Sequence, residues 1–233
     1  MSECGHCGFD VRSGDDACPL CGTPVTAVAA PARPVPWEDP EVGFASGLWR
    51  TWKQSVIAPG EFFGGVDWNG PLGRPILYYL LLGVISALFS LLWIFAGVSD
   101  PFGGTDVGLE PRRFGLFVFF LSPFLGLLVL GMQTLVYHLF VAMLARDRRP
   151  MSATARAVSY AAGPAAFTAV PLLGALMAGI WTIVMVVFGL RAAHRTTTGR
   201  AVVVVILPFV LAVVLVLGFF LLLLVAVSGL TEL

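Results

Sequence analysis

Four cysteines near the N-terminus form the clearest chemical pattern in the chain. They fall in two pairs, each with two residues between its cysteines, and the set is Cys4, Cys7, Cys18 and Cys21. Two such pairs supply four thiolates in a tetrahedral arrangement, which is the usual ligand set of structural zinc. Gly8 and Gly22 follow the second cysteine of each pair and suit the positive φ of a tight metal-binding turn. The pattern predicts a zinc ribbon over residues 1–22, with a structural Zn²⁺ ion.

The predicted zinc ion has a folding role. Residues 1–22 carry few large apolar side chains, mainly Phe9, Val11 and Leu20, which are too few to build a core without metal. Metal binding would therefore supply the folding free energy. Because four protein ligands leave no open position at the ion, we predict no zinc-based catalysis.

The charge of the ribbon restricts its partners. Four acids face one base in this segment: Glu3, Asp10, Asp15, Asp16 and Arg12. A zinc ion bound by four thiolates adds further negative charge, so phosphate would be repelled and no nucleic-acid partner is expected. A cytosolic protein partner is the main expectation, with a redox or metal sensor and an inert folded cap as alternatives.

A second group of candidate residues lies inside long apolar runs. These are Gln133, Tyr137, His138 and Tyr160. Polar side chains in membrane spans mark pathways or binding sites, and they also form hydrogen bonds between helices. We favour the second role and keep an intramembrane polar site as the alternative. No serine, cysteine or carboxylate stands at a recognisable catalytic spacing from a histidine, so we do not expect an enzyme.

The apolar runs must position both groups. The chain is 58% hydrophobic and only 12% charged, whereas soluble proteins are about a quarter charged. Several uncharged runs are long enough to cross a bilayer as helices. We predict an all-α integral membrane bundle of five transmembrane helices, with spans at about 75–98, 114–145, 152–168, 172–190 and 201–227.

The count of five depends on the basic residues around the uncharged run 157–190. This run fits one long helix or two short helices around Pro171. The residues before it are Arg146, Arg148, Arg149 and Arg156, and those after it are Arg191, Arg195 and Arg200. The positive-inside rule places both groups in the cytosol, which requires an even number of crossings. The run therefore divides at Val170-Pro171, with Ser152 as the expected N-cap of the third span.

The resulting topology has a cytosolic N-terminus and a C-terminus on the opposite side. We expect it in a bacterial inner (plasma) membrane. A four-span topology, with the loop 99–113 inside, would better accommodate Arg112 and Arg113.

Two segments precede the first predicted span. Residues 23–40 contain five prolines and predict a stiff linker that holds the ribbon away from the membrane. From Glu41 to Ile57 an apolar stripe recurs every four positions, at Phe44, Leu48, Trp52 and Val56, and a second short segment opens at Pro59. Together they predict an interfacial amphipathic segment over residues 41–74. A helix packed on the bundle is the alternative. The expected interfacial anchors are Trp49, Trp52, Phe62, Phe63 and Trp68.

Three motifs carry a resemblance to a known family. They are Ile57-Ala58-Pro59-Gly60-Glu61-Phe62-Phe63, Ser159-Tyr160-Ala161-Ala162-Gly163-Pro164 and Pro171-Leu172-Leu173-Gly174. In this order, the chain resembles the membrane domain of the Yip (Ypt/Rab-interacting-protein-like) family over about residues 44–227, in particular bacterial-type members with an N-terminal zinc ribbon. The resemblance implies a five-span bundle with a cytosolic N-terminus. Eukaryotic relatives interact with Rab-type GTPases and carry an Asp-Leu-Tyr-Gly-Pro motif, which this sequence lacks, so no GTPase partner is expected.

These observations favour a membrane scaffold or adaptor, in which the ribbon docks a cytosolic protein. One alternative is a small-solute channel or permease built around the polar residues of the spans. The other is a lipid-organising protein that contacts membrane lipids through the segment from Phe44 to Trp68. Ala175 and Gly179 form a small-xxx-small pair that could support association into a homo-oligomer.

Overall fold

A computed structural model describes most of the membrane part of the chain and short pieces of the N-terminal region. The described residues are 2–3, 10–11, 17–18, 21–22, 34–98, 110–145 and 148–231, and for 2–3, 10–11 and 222–231 only the backbone is described. Cys4, Cys7, residues 23–33 of the predicted linker, and residues 99–109 of the predicted loop lie outside these ranges.

The N-terminal region contains a small antiparallel pair of strands. Strand β1, Ser2–Glu3, pairs with strand β2, Asp10–Val11, so that Ser2 lies opposite Val11 and Glu3 opposite Asp10. The first pair of cysteines falls between these strands in the sequence.

Helices make up nearly all of the rest of the described chain. A 3-10 helix, Gly163–Ala169, connects the fifth and sixth α-helices. The α-helices are α1 (Phe44–Ile57), α2 (Pro59–Gly64), α3 (Gly73–Phe95), α4 (Pro111–Leu144), α5 (Met151–Tyr160), α6 (Leu173–Ala193) and α7 (Thr198–Thr231).

Four helices in the described ranges are long and apolar enough to cross a membrane. They are Gly73–Phe95, Pro111–Leu144, Leu173–Ala193 and Thr198–Leu221. They agree with the first, second, fourth and fifth predicted spans to within a few residues. The third predicted span is absent from this set.

The third predicted span, residues 152–168, is divided in two. The α-helical part ends at Tyr160, and the chain continues as the 3-10 helix. Pro164 explains the break, because proline lacks an N–H group and disfavours a helical conformation at the residue before it. The prediction of Ser152 as N-cap is wrong, since Pro150 occupies that position and Ser152 lies within α5.

The divided element nevertheless runs antiparallel to α6 along most of its length. At its start, Thr154 Oγ1 lies 2.9 Å from Nε2 of His194, the residue that follows the end of α6. At its finish, the backbone of Phe167 passes so close to Gly174, near the start of α6, that a Cβ atom there would overlap it. At about 1.5 Å per α-helical residue and about 2 Å per 3-10 residue, both paths are roughly 30 Å long.

The bundle has two ends, which we call proximal and distal. The proximal end is the one at which α3 and α5 begin and α4 and α6 end. Arg156 of α5 donates to the carbonyl of Pro71, just before α3, and Thr154 contacts His138 near the end of α4. The start of α5 therefore lies at the same end as the start of α3.

Tryptophan side chains satisfy backbone carbonyls where helices begin or end. Trp52 Nε1 donates to the carbonyl of Gly163 at the start of the 3-10 helix, and Trp93 Nε1 donates to Thr168 near its end, each at 2.9 Å. Trp181 Nε1 likewise donates to Val56 near the end of α1 at 3.0 Å. Unpaired carbonyls are costly in an apolar environment, so these bonds stabilise the breaks.

Helix α1 packs on the bundle through a face of mostly small residues. Its buried residues are Gly47, Thr51, Ser55 and Val56. Three of these four residues lie one position before the residues of the predicted apolar stripe. Small residues are needed on this side, because the backbone of the preceding segment approaches α1 closely. A Cβ atom at Gly47 would lie 2.9 Å from the carbonyl oxygen of Pro36.

Three of the predicted interfacial anchors belong to the core. The rings of Phe62, Phe63 and Trp68 are at least nine-tenths buried. The rings of Phe63 and Trp68 stack at 6.4 Å, and Phe62 packs edge-on against Tyr160 at 5.5 Å. Only Trp49 is largely exposed, while Trp52 is half-buried. The prediction of anchors at residues 62, 63 and 68 is therefore wrong.

Candidate functional site

The end of the predicted linker is part of the folded membrane domain. Val35 and Trp37 are buried, and the carbonyl of Val35 accepts hydrogen bonds from the N–H groups of Glu38 and Asp39, which closes a turn. The prediction of an unpacked linker as far as residue 40 is therefore wrong for residues 34–40. The large apolar surface of Trp37 accounts for the docking, since burial removes that surface from water.

Trp37 is held from three directions. Its backbone N–H donates to Thr51 Oγ1 of α1 at 2.9 Å, and its indole Nε1 donates to the carbonyl of Arg74 in α3 at 2.7 Å. The guanidinium of Arg74 lies over the indole, 5.5 Å from its centroid. Trp37 thus joins the start of α3 to the middle of α1.

Next to Trp37, Glu38 forms an ion pair with the fully buried Arg156 of α5. Arg156 Nη2 lies 2.6 Å and 2.8 Å from the two carboxylate oxygens, and Nη1 donates to the carbonyl of Pro71 at 2.6 Å. The side chain of Arg156 has no exposed surface, whereas that of Glu38 is 18% exposed. Gly70 permits this packing, because a Cβ atom there would lie 3.0 Å from Nη1.

Tyr160 completes this arrangement one helical turn after Arg156. Its hydroxyl donates to Oε1 of Glu38, and its ring lies 5.5 Å from that of Tyr78 in α3. The Tyr78 hydroxyl is in turn 3.4 Å from Ser55 Oγ of α1. We call Trp37, Glu38, Arg156 and Tyr160 the clasp.

The clasp is an anchor built from a charge pair in which Arg156 is fully buried and Glu38 is partly buried. Removing one partner of such a pair leaves an uncompensated charge in an apolar region, which is strongly destabilising. The carboxylate of Glu38 therefore ties the segment before α1 to α5. Sequence reasoning missed both partners, since Glu38 lay in a proline-rich segment and Arg156 counted among the cytosolic basic residues. The available signal was the i, i+4 spacing of Arg156 and Tyr160.

A second polar cluster lies at the proximal end and contains two histidines. Thr154 Oγ1 is 2.9 Å from His138 Nδ1 and 2.9 Å from His194 Nε2. The backbone N–H of Arg149 donates to His194 Nδ1 at 3.2 Å. Because Nδ1 accepts, the hydrogen of a neutral His194 is on Nε2 and points to Thr154, whose hydroxyl then donates to His138.

The environment of His194 favours its neutral form. Burial, together with the smaller effects of the nearby His138 and Arg149, lowers the pKa of His194 to about 4. The side chain is 1% exposed. At neutral pH this cluster is therefore a directed chain of hydrogen bonds that joins α4, α5 and the end of α6.

The four predicted polar residues of the spans do not form one group. His138 belongs to the histidine cluster and Tyr160 to the clasp. Tyr137 is buried and Gln133 half-buried in α4. Thr154 and Tyr160, the α5 members of the two clusters, are six residues apart, or about 9 Å along the helix.

The second cysteine pair has backbone geometry that suits a metal-binding turn. Gly22 has φ of 69°, and its N–H donates to the carbonyl of Cys18 at 2.8 Å. The predicted positive φ at Gly22 is confirmed. Cys18 is buried and Cys21 is exposed, and Cys4 and Cys7, the other predicted ligands, lie outside the described residues.

The fold defines the class of the protein as a multi-pass α-helical membrane protein. Its sequence matches the Yip1 domain over residues 53–226, which is well over half of the chain and reaches from α1 into α7. The chain therefore belongs to the Yip1 family. Neither a curated protein nor a solved structure matches it in the corresponding comparisons. Arg156 and Tyr160 of the clasp lie within the matched region, whereas Trp37 and Glu38 lie before it.

Proposed function

We propose that this protein is a non-enzymatic membrane scaffold or adaptor, whose N-terminal ribbon docks a cytosolic protein partner. The clasp is the observation that supports the proposal best. It fixes the chain at Trp37 and Glu38 to the family domain, so the region before residue 34 leaves the bundle from a defined point. A docked partner would then be held at a limited distance from one face of the membrane.

The ribbon is proposed to be a zinc module. Cys4, Cys7, Cys18 and Cys21 would hold the ion, and the turn from Cys18 to Gly22 fits this role. A bound zinc ion supplies folding free energy to a segment that has little apolar core of its own. The antiparallel pairing of β1 with β2 brings together the residues on either side of the first cysteine pair.

The proximal end is proposed to face the cytosol of a bacterial cell, with the protein in the inner membrane. Exposed basic residues at or near this end are Arg50, Lys53, Arg74, Arg148, Arg191, Arg195 and Arg200, whereas the start of α4 at the distal end has Arg112 and Arg113. Such a concentration is typical of cytosolic loops. We further propose that α5 and the 3-10 helix form a broken third crossing, which makes five crossings in all.

The channel or permease alternative receives less support. His138 and Tyr160, two of its four proposed residues, are engaged in hydrogen bonds within the protein. Tyr137 is buried against the bundle rather than at an open surface. These contacts favour roles in packing between helices.

Proximity labelling in the native host tests the adaptor proposal. The full-length protein would carry the labelling enzyme, and the wild type would be compared with a Cys4→Ser, Cys7→Ser variant. A Ser2→Ala, Ser13→Ala variant is the matched control, since it changes two polar residues of the ribbon and keeps all four cysteines. Cytosolic neighbours should be lost in the cysteine variant and kept in the control. An unchanged set of neighbours, at equal membrane levels, would contradict the proposal.

A further inference from the structure

Helix α1 has an outward face that nothing in the described part of the chain covers. Opposite its buried residues it presents Trp49, Arg50, Lys53 and Ile57, and Trp49 and Ile57 are 59% and 68% exposed. No acidic residue occurs in this helix. Among the described residues, neither Arg50 nor Lys53 pairs with a carboxylate. The face is therefore both cationic and apolar.

The contacts of α1 show how deep this face reaches. Near the start of α3, Trp37 joins Thr51 of α1 to the carbonyl of Arg74. At the other end of α1, the carbonyl of Val56 accepts a hydrogen bond from Trp181. Trp181 lies twelve residues before the end of α6 at Ala193, which corresponds to about 18 Å along the helix. Helix α1 therefore runs inward from the proximal end toward the middle of the bundle.

Because α1 is inclined, the charged and the aliphatic residues of this face lie at different depths. Ile57, at the inner end of α1, follows the residue that bonds Trp181, so it lies beside apolar helices that are long enough to cross a membrane. Arg50 and Lys53 lie one to two turns closer to the proximal end, and the stacked pair of Trp49 and Trp52 flanks them, with ring centroids 4.9 Å apart. A phospholipid matches this arrangement, because cations and indoles suit its headgroup at the edge of the bilayer and an aliphatic side chain suits its acyl chains below.

We propose that the outward face of α1 is a binding surface for anionic phospholipids of the leaflet at the proximal end. Arg50 and Lys53 bind the phosphate-bearing headgroups, and Ile57 contacts the acyl chains of the same lipids. The absence of acidic side chains from α1 gives the surface a preference for negative over zwitterionic headgroups. This function is separate from the docking of a protein by the ribbon, which lies before the clasp.

Quenching of tryptophan fluorescence by brominated lipids tests the proposal. The full-length protein would be reconstituted in two sets of phosphatidylcholine vesicles. One set would contain brominated phosphatidylcholine, and the other would contain the same amount of brominated phosphatidylglycerol. The wild type should be quenched more by the anionic lipid, because that lipid accumulates next to Trp49 and Trp52. In an Arg50→Gln, Lys53→Gln variant, the preference of the protein for the anionic lipid over phosphatidylcholine should fall by about fivefold for each cation removed. Added salt should reduce the preference in the wild type.

Two further variants make the test specific. Arg195→Gln, Arg200→Gln removes two exposed cations elsewhere in the proximal region and should leave the quenching preference unchanged. Arg50→Lys keeps the charge and should also retain it. Equal quenching of the wild type by both lipids would overturn the proposal. So would an undiminished preference in the double α1 variant, or a loss of equal size in the Arg195, Arg200 control.

Discussion

Arg156 illustrates how one residue can hold together segments that are far apart in sequence. Its guanidinium has no exposed surface and contacts Glu38 and the carbonyl before α3, which lie more than eighty residues earlier in the chain. A buried arginine is stable only when its hydrogen-bond donors and its charge are matched. Nη1 and Nη2 are matched here, while Nε makes no hydrogen bond among the described residues.

Replacing Glu38 with glutamine should destabilise the protein markedly. The variant keeps the shape of the side chain but leaves the charge of Arg156 without a counter-ion in a buried site. We expect the free energy of unfolding to fall by about 3 kcal/mol, measured by denaturant or thermal unfolding of the detergent-solubilised full chain. Glu41→Gln, at an exposed acid three residues later, should change it by less than about 0.5 kcal/mol. Equal effects of the two variants would show that the clasp has no special role.

The histidine cluster should make stability depend on pH. His194 has a pKa of about 4 in the folded protein and about 6.5 when unfolded. Between these values only the unfolded chain binds the proton, so stability is complete above about pH 6.5 and falls as the pH drops toward 4, by up to about 3 kcal/mol. His194→Gln should flatten this slope in unfolding experiments from pH 7 to pH 5, whereas His6→Gln should preserve it. A slope that persists in the His194 variant would assign the effect to other groups, with His138 the nearest.

At the scale of elements, the sequence was sufficient for the long helices and insufficient for the short ones. Uncharged runs longer than a bilayer is thick leave few options, so α3, α4, α6 and α7 were predicted to within a few residues. The end of the α-helical part at Tyr160, ahead of Pro164, was missed because residues 157–168 carry no charge, so the uncharged run that continues to residue 190 gave no sign of a break before Pro171. The docking of residues 34–40 was missed because it depends on contacts with α1, α3 and α5, which local composition does not contain.

The close approach of the broken element to α6 can be tested at one glycine. A Cβ atom at Gly174 would overlap the backbone of Phe167, and backbone at the end of the 3-10 helix cannot move aside without disturbing Thr168, the acceptor of the bond from Trp93. Gly174→Ala should therefore lower the free energy of unfolding by about 2 kcal/mol or more. Gly179→Ala lies in the same helix with open space at its Cβ and should raise it by roughly 0.5–1 kcal/mol. If both alanines stabilise α6 equally, the packing at Gly174 is looser than described.

At the scale of the whole molecule, charge and geometry bear on the topology independently. The exposed arginines concentrate around the proximal end, which favours a cytosolic location for it. The path of α5 and the 3-10 helix covers about the same length as α6, although neither part alone would cross a bilayer. Hydrophobicity and helix length identify four crossings, while the continuity of this path favours a fifth.

The side of the membrane on which the C-terminus lies distinguishes a topology of four crossings from one of five. If the third crossing is broken in this way and the proximal end faces the cytosol, α7 begins on the cytosolic side and finishes on the opposite side of the membrane. A reporter that is active only outside the cytosol, fused after Leu233, should therefore be active, and a cytosolic reporter at the same position should be silent. Fusions after Asp106 and after Arg195 provide internal references, with external and cytosolic signals expected respectively. A cytosolic signal at Leu233 together with a cytosolic signal at Arg195 would mean that α7 does not cross the membrane. An external signal at Arg195 would mean that α5 and the 3-10 helix do not cross it.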